Sequence, residues 1–307
     1  MWLYSKPEAT SLSNFHHVGF LWRITVAHDS PPGGSLSSTH QANRIVHSRL
    51  ADVYDKTEPH FRPENQSKVK SKIIRLREIA GGGRLLDIGC GTGFMINLAL
   101  GTFDDIYGVD ITPEMMQHID CSRGNITLHL ASAESLPFAE DTFDAITAYS
   151  FIDHVADVDA VLREAARVLK PGGAALIDLA PNRLFWETLR QLDPSDVERA
   201  GAILAREFRM VTQNAKDIES AYGIDAATFE AAEPGKIRGG IDWREMQNAA
   251  LHAGFSTCAT QFEWFLGQGT IMHGKSVATA DSIDGYLRDV IPVVRHLYKY
   301  LSFHLIK

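Results

Sequence analysis

From Thr39 onward the apolar positions of the chain fall into two periods. Ile45, Val46, Leu50, Val53 and Tyr54 recur at three and four behind a capping Thr39, and Val69, Ile73, Leu76 and Ile79 do the same between Glu64 and Ala80. Both stretches predict amphipathic helices, the second ended by the glycines at 81–83. Short apolar runs then alternate with helical ones: strands at 84–89, 105–110, 126–131, 143–149 and 174–180, helices at 92–100, 113–120 and 157–169. Such alternation predicts an α/β fold, a doubly wound, mostly parallel sheet covered by helices on both faces. Sheets of this kind bind ligands at the carboxyl ends of the strands, where the strand order reverses.

The flanks follow other rules. Residues 1–38 lack a sustained period and end in "SPPGGSLSS", so they are expected to form a loosely attached tail and linker ahead of one domain at 39–307. Residues 181–240 are too long for an ordinary connection and read as a helical insertion that caps a ligand pocket. At the end, Ile283, Leu287, Val290, Val294, Leu297 and Leu301 lie near one helical stripe, which predicts a terminal helix over about 281–307, kinked at Pro292. Docking on the body is the expectation for it; the alternative is a helix lying on a membrane surface.

Composition narrows the partners. With 307 residues, 45% hydrophobic and 22% charged, the chain can bury a full core. A formal net charge of -8 argues against nucleic acid. Cys90, Cys121 and Cys258 make neither a disulfide framework nor a zinc-ligand spacing, so no metal is expected and the compartment is expected to be the cytoplasm. No apolar run reaches the roughly 18 residues that would suggest a membrane span.

"LLDIGCGTGF" at 85–94 places three alternating glycines between a buried strand and a helix amino terminus, where unpaired backbone N–H groups meet a ligand. The spacing is G-x-G-x-G, not the dinucleotide G-x-G-x-x-G, and no G-K-[ST] follows to make a phosphate loop. The next strand, "DIYGVD", ends in Asp110, where a carboxylate can accept hydrogen bonds from two vicinal ribose hydroxyls.

Together "LLDIGCGTGF", "GVDITPEMM", "ASAESLPFAEDTFDAI" and "LREAARVLKPGGAALIDLAP" resemble the class I S-adenosylmethionine-dependent methyltransferases, in particular the group acting on small molecules. The resemblance covers about Val53 to Pro181, with weaker echoes in "IDWREMQNAALHAGFSTCATQFEWF". It implies a Rossmann-like, seven-stranded sheet closed by a last helix and an antiparallel hairpin, S-adenosylmethionine as methyl donor, and a small-molecule acceptor methylated at O, N or C by in-line displacement. A donor-binding regulatory or scaffold protein without turnover is the alternative.

The resemblance also implies roles for residues. Asp87 and the loop of Gly89, Cys90, Gly91 and Gly93 would hold the methionine part of the donor, the glycines because a Cβ would collide with it. Asp110 would hold the ribose, Ile111 a face of the adenine and Met115 its edge. Ser132 stands where the family commonly has Asp, beside Ala133 at the adenine ring. Tyr149 and Ser150 would flank the sulfonium. Outside those motifs, His154 beside Asp153 is the candidate base, and Phe185 and Trp186 are candidate walls for an apolar acceptor.

Overall fold

The computed structural model describes residues 24–26, 37–212, 219–237, 239–274 and 276–307. Strands β1 (Ile24–Val26), β2 (Arg84–Ile88), β3 (Asp105–Asp110), β4 (Ile126–Leu130), β5 (Phe143–Tyr149), β6 (Leu169–Pro181), β7 (Thr257–Phe265) and β8 (Tyr298–Ile306) form one sheet in the order β1-β4-β3-β2-β5-β6-β8-β7. All pairs are parallel up to β6, and β8 runs antiparallel to both β6 and β7. The order reverses between β2 and β5, so the loops after Ile88 and Tyr149 open side by side.

The expected seven strands are all present, and β1 adds an eighth at the edge, Ile24–Val26 pairing with Leu128–Leu130. Three residues of the segment read as a tail therefore extend the sheet. The rest of 1–36 lies outside the described residues.

Alternation along the buried strands makes two apolar layers. Leu86 and Ile88 face α6 (Val158–Val168) and the helix Trp243–Ala253 with Ile146 and Ile177, whereas Leu85 joins Ala145 and Leu176 against the helix Pro63–Ala80 and α4 (Phe94–Ala99). In chain order the first helices are α1 (Ser38–Leu50), α2 (Tyr54–Thr57), α3 (Pro63–Ala80), α4, α5 (Pro113–Met116) and α6. Ser37, two residues ahead of the expected Thr39, caps α1 by accepting from the His40 N–H.

The insertion is helical, with α7 (Arg183–Arg190), α8 (Pro194–Arg199), α9 (Ala202–Thr212), α10 (Ala226–Ala232) and α11 (Pro234–Ile237) before α12 (Trp243–Ala253). Its residues Ile224, Phe229 and Ala232 pack against Ala42 and Val46, so α10 clamps α1 onto the body.

The terminal helix expected at 281–307 is corrected. Helices occupy Val277–Asp289 and Ile291–Val294, and Tyr298–Ile306 is β8, inserted between β6 and β7. Tyr298, Leu301, Phe303 and Leu305 are fully buried there. A two-period, aromatic-rich run prevails because both its edges find partners, and the membrane-surface helix suggested by the stripe loses its apolar half. Among the described residues no helix is long and apolar enough to cross a membrane.

Candidate active site

A cleft partly open to solvent, with a cavity volume of about 100 Å³, lies at the sheet's reversal point. It is lined by Asp87, Gly89, Cys90, Gly91, Asp110, Ile111, Met115, Ser132, Ala133, Tyr149, Ser150 and His154 from the sequence-selected residues. Gly93, the N-cap of α4, is not part of the lining.

The strand ends position the polar groups. Asp110, last in β3, accepts from the Gly91 N–H through Oδ2 (2.9 Å) and from the Thr112 N–H through Oδ1 (2.8 Å). Each oxygen keeps a lone pair for a vicinal hydroxyl, while the two N–H groups fix the plane of the carboxylate. Burial pushes its pKa up, against the pull of those N–H bonds. Asp87 is buried in β2, accepts at 2.8 Å from the Thr147 hydroxyl, and has no cationic partner among the described residues. Burial raises its pKa to about 8, with the Thr147 bond opposing and the Asp110 charge adding.

The glycine loop owes its composition first to the protein itself. Gly89 has φ +71°, and a Cβ there would meet the Phe151 ring at 2.2 Å; Gly93 has φ +88°, and its Cβ would meet Ile119 at 2.8 Å. Collision with a ligand, the reason expected from the resemblance, is not needed at these two positions. Cys90 is buried, and burial pushes its thiol well above the ordinary range, which fits packing and not reactivity. Across the cleft Ser150 has φ +50° and donates its N–H to the Asp178 carbonyl. A left-handed serine costs about 1–3 kcal/mol and persists at this strand end only because its surroundings hold it. The Ser132 hydroxyl accepts from the Glu134 N–H at 3.2 Å, a turn bond that uses one of its lone pairs.

The side of the cleft facing α1 was not selected from the sequence. His40, Asn43 and His47 line it from α1, joined by Tyr54 and His60. Their signal was available, since polar positions 40, 43 and 47 recur at three and four on one helical face. His60, Phe94 and Tyr149 form an aromatic cluster, with ring centroids 4.7 Å apart for His60 and Phe94 and 4.9 Å for Phe94 and Tyr149. Burial lowers the His60 pKa to about 3, so this ring is neutral at pH 7. Thr92 donates its hydroxyl to Asp55 at 2.6 Å, tying the segment after α1 to the glycine loop.

His154 is held in place. Its Nδ1 meets the Ala232 carbonyl at 3.0 Å, its own carbonyl accepts from the Asn43 amide at 2.8 Å, and its Nε2 lies 3.9 Å from Asp153. Asp153, His154 and Glu233 bring ligand atoms within 4.8 Å of one another, but Lys236 supplies a cation there, 3.4 Å from Asp153 and 2.5 Å from Glu233. Burial works against the Asp153 charge, yet His154 and Lys236 hold its carboxyl below the usual range.

Phe185 and Trp186 stand apart from the cleft. Both are buried in a cluster with Leu189, against Leu204, Val211 and Leu266, because the apolar face of α7 turns toward α9 and not toward the sheet's reversal point. The acceptor-wall expectation for the pair is thereby corrected: α1 covers the cleft, and the insertion supports α1 from behind. Phe185→Ala should then remove about 3–5 kcal/mol of stability, seen as an earlier melting transition, and leave donor affinity and acceptor KM within about threefold. A tenfold rise in KM in the folded variant would return Phe185 to the acceptor side.

Residues 86–177 match the family described as Methyltransferase domain. A demethylmenaquinone methyltransferase of Tropheryma whipplei is 32% identical over 191 residues, 61% of this chain and 80% of that protein. A ubiquinone/menaquinone biosynthesis C-methyltransferase UbiE of Geotalea daltonii is 39% identical over 113 residues, 34% of this chain and 48% of that protein. Among solved structures, that of the cyclase SpnF aligns with a TM-score of 0.51 at 16% identity, covering 88% of this chain and 96% of that one, a likeness of fold alone.

Proposed function

Because the chain belongs to the class I S-adenosylmethionine-dependent methyltransferases, we propose that the cleft at the reversal point seats the donor against β2 and β3 and a hydroxylated ring of the quinol class against α1. The enzyme transfers a methyl group from S-adenosylmethionine to a small molecule.

The donor fits the chain's polar groups. Asp87 is a buried carboxyl in need of a cation, and the donor's ammonium supplies one. Asp110 presents two oxygens to ribose hydroxyls, Ile111, Met115 and Ala133 offer apolar surface to the adenine, and Tyr149 and Ser150 lie toward the reacting end. When bound, the donor supplies an already activated methyl group, so the protein's task is alignment and exclusion of water.

The observation that carries the acceptor assignment is the continuity of the cleft from Asp110 past Asp87 to Tyr54, His60, Phe94 and Tyr149. These rings pack on one another into an aromatic wall that a flat aromatic guest can lie against, and neutral imidazoles in the wall suit its hydroxyls. Both relatives named above carry quinone methylation in their names, which supports the same class. The direct test is incubation with S-adenosylmethionine and reduced 1,4-dihydroxynaphthalene. Mass spectrometry should find S-adenosylhomocysteine and a singly methylated product together. Absence of both, in protein that binds the donor, would remove the quinol class.

A further inference from the structure

Sequence reasoning selects His154 as the base, yet both of its ring nitrogens face protein groups: Ala232 on one side and Asp153 on the other. The neighbouring imidazole differs. His47, its ring centroid 5.1 Å from that of His154, commits Nδ1 to the Asn43 carbonyl at 3.0 Å, one turn back in α1. A carbonyl only accepts, so Nδ1 carries the proton and Nε2 carries the lone pair. Among the described residues Nε2 has no hydrogen-bond partner, and His47 lines the cleft.

We propose that His47 Nε2 accepts the proton of an aromatic hydroxyl as that hydroxyl is methylated, and that His154 is a positioning residue that steadies the ring. This rests on the hydroxylated-ring reading of the acceptor. The hydroxyl oxygen forms its bond to the donor's methyl carbon, the carbon–sulfur bond breaks with its electron pair left on sulfur, and the O–H proton moves to Nε2, giving a methyl ether, a thioether and an imidazolium. That proton then leaves to water as the products depart.

The electrostatics favour a base that is always free. The groups around His47 are Tyr54 from α2, Asp153 and His154 from the short helix after β5, and Lys236 from α11. Burial first, then the His154 charge, lowers the His47 pKa to about 4, so the ring is unprotonated at neutral pH. A weak base suffices, because the hydroxyl proton becomes strongly acidic once the oxygen–carbon bond begins to form.

The test compares the parent enzyme with His47→Ala and His47→Gln on reduced 1,4-dihydroxynaphthalene, catechol and phenol. His47→Ala should lower kcat by about 100-fold or more, the range of general-base catalysis, and leave donor affinity within about threefold. His47→Gln keeps an acceptor atom that cannot take the proton, so it should hold KM near the parent value and still lose kcat. Added imidazole should restore rate to the alanine variant alone. The proposal is overturned if either variant keeps kcat within about threefold of the parent, or if only KM changes and imidazole restores nothing. Methylation of catechol or phenol without the naphthalenediol would remove the quinol reading while the same variants still decide His47. If the parent binds none of these rings, both fall.

Discussion

Asp110→Ala will weaken S-adenosylmethionine binding by about one to two orders of magnitude, because charge-assisted hydrogen bonds are worth about 1.5–3 kcal/mol and each 1.4 kcal/mol is tenfold. The loss has two sources in the geometry. The ribose hydroxyls lose their acceptor, and the Gly91 and Thr112 N–H groups lose the carboxylate that aligns them. Asp110→Asn retains the shape and one acceptor oxygen, so its affinity should fall between parent and alanine. Titration calorimetry measures all three, with melting curves confirming that each is folded. Parental affinity in a folded alanine variant would take Asp110 out of the donor site.

Donor binding will also release a proton. In the empty enzyme burial holds Asp87 at a pKa of about 8, so near neutrality it is mostly protonated; beside the donor's ammonium it should ionise. Affinity should therefore rise by up to about tenfold per pH unit between about pH 5.5 and 7, a range in which the donor's own amine stays charged. The sign for stability is the reverse in the empty protein. A carboxyl whose folded pKa is raised contributes stability that is present below its unfolded value near 4 and lost as pH rises through about 8. Melting temperature should decline with pH in the empty enzyme and decline less with saturating donor. Calorimetry in buffers of different ionisation enthalpy counts the released proton, and Asp87→Asn should abolish it. A parent enzyme with pH-independent affinity, or an asparagine variant with the same slope, would show that Asp87 does not meet the ammonium.

The donor half of the site was legible because its parts are local. Asp87, Gly89 and Asp110 belong to strand ends and the turns that leave them, and the alternation of strands and helices is enough to place those ends together. Backbone sterics left little choice at Gly89, whose positive φ and contact with Phe151 both exclude a side chain. The acceptor half proposed for α1 was not local. Asn43 reaches the His154 carbonyl across 111 positions of sequence, and nothing in "HQANRIVH" states which body that polar face will meet.

Tertiary structure also settled two cases in which one pattern had two solutions. The apolar face of α7 suited either the cleft or a private cluster, and packing with Leu204 and Val211 took Phe185 and Trp186 away from the acceptor. The stripe that ends in Leu297 and Leu301 suited a helix, while the same residues in "YKYLSFHLI" suited a strand. Periodicity records which side chains seek burial, and it does not record which partners are free. Only in the assembled sheet were the edges of β6 and β7 both open, and the backbone of 298–306 met more hydrogen-bonding partners between them than within itself.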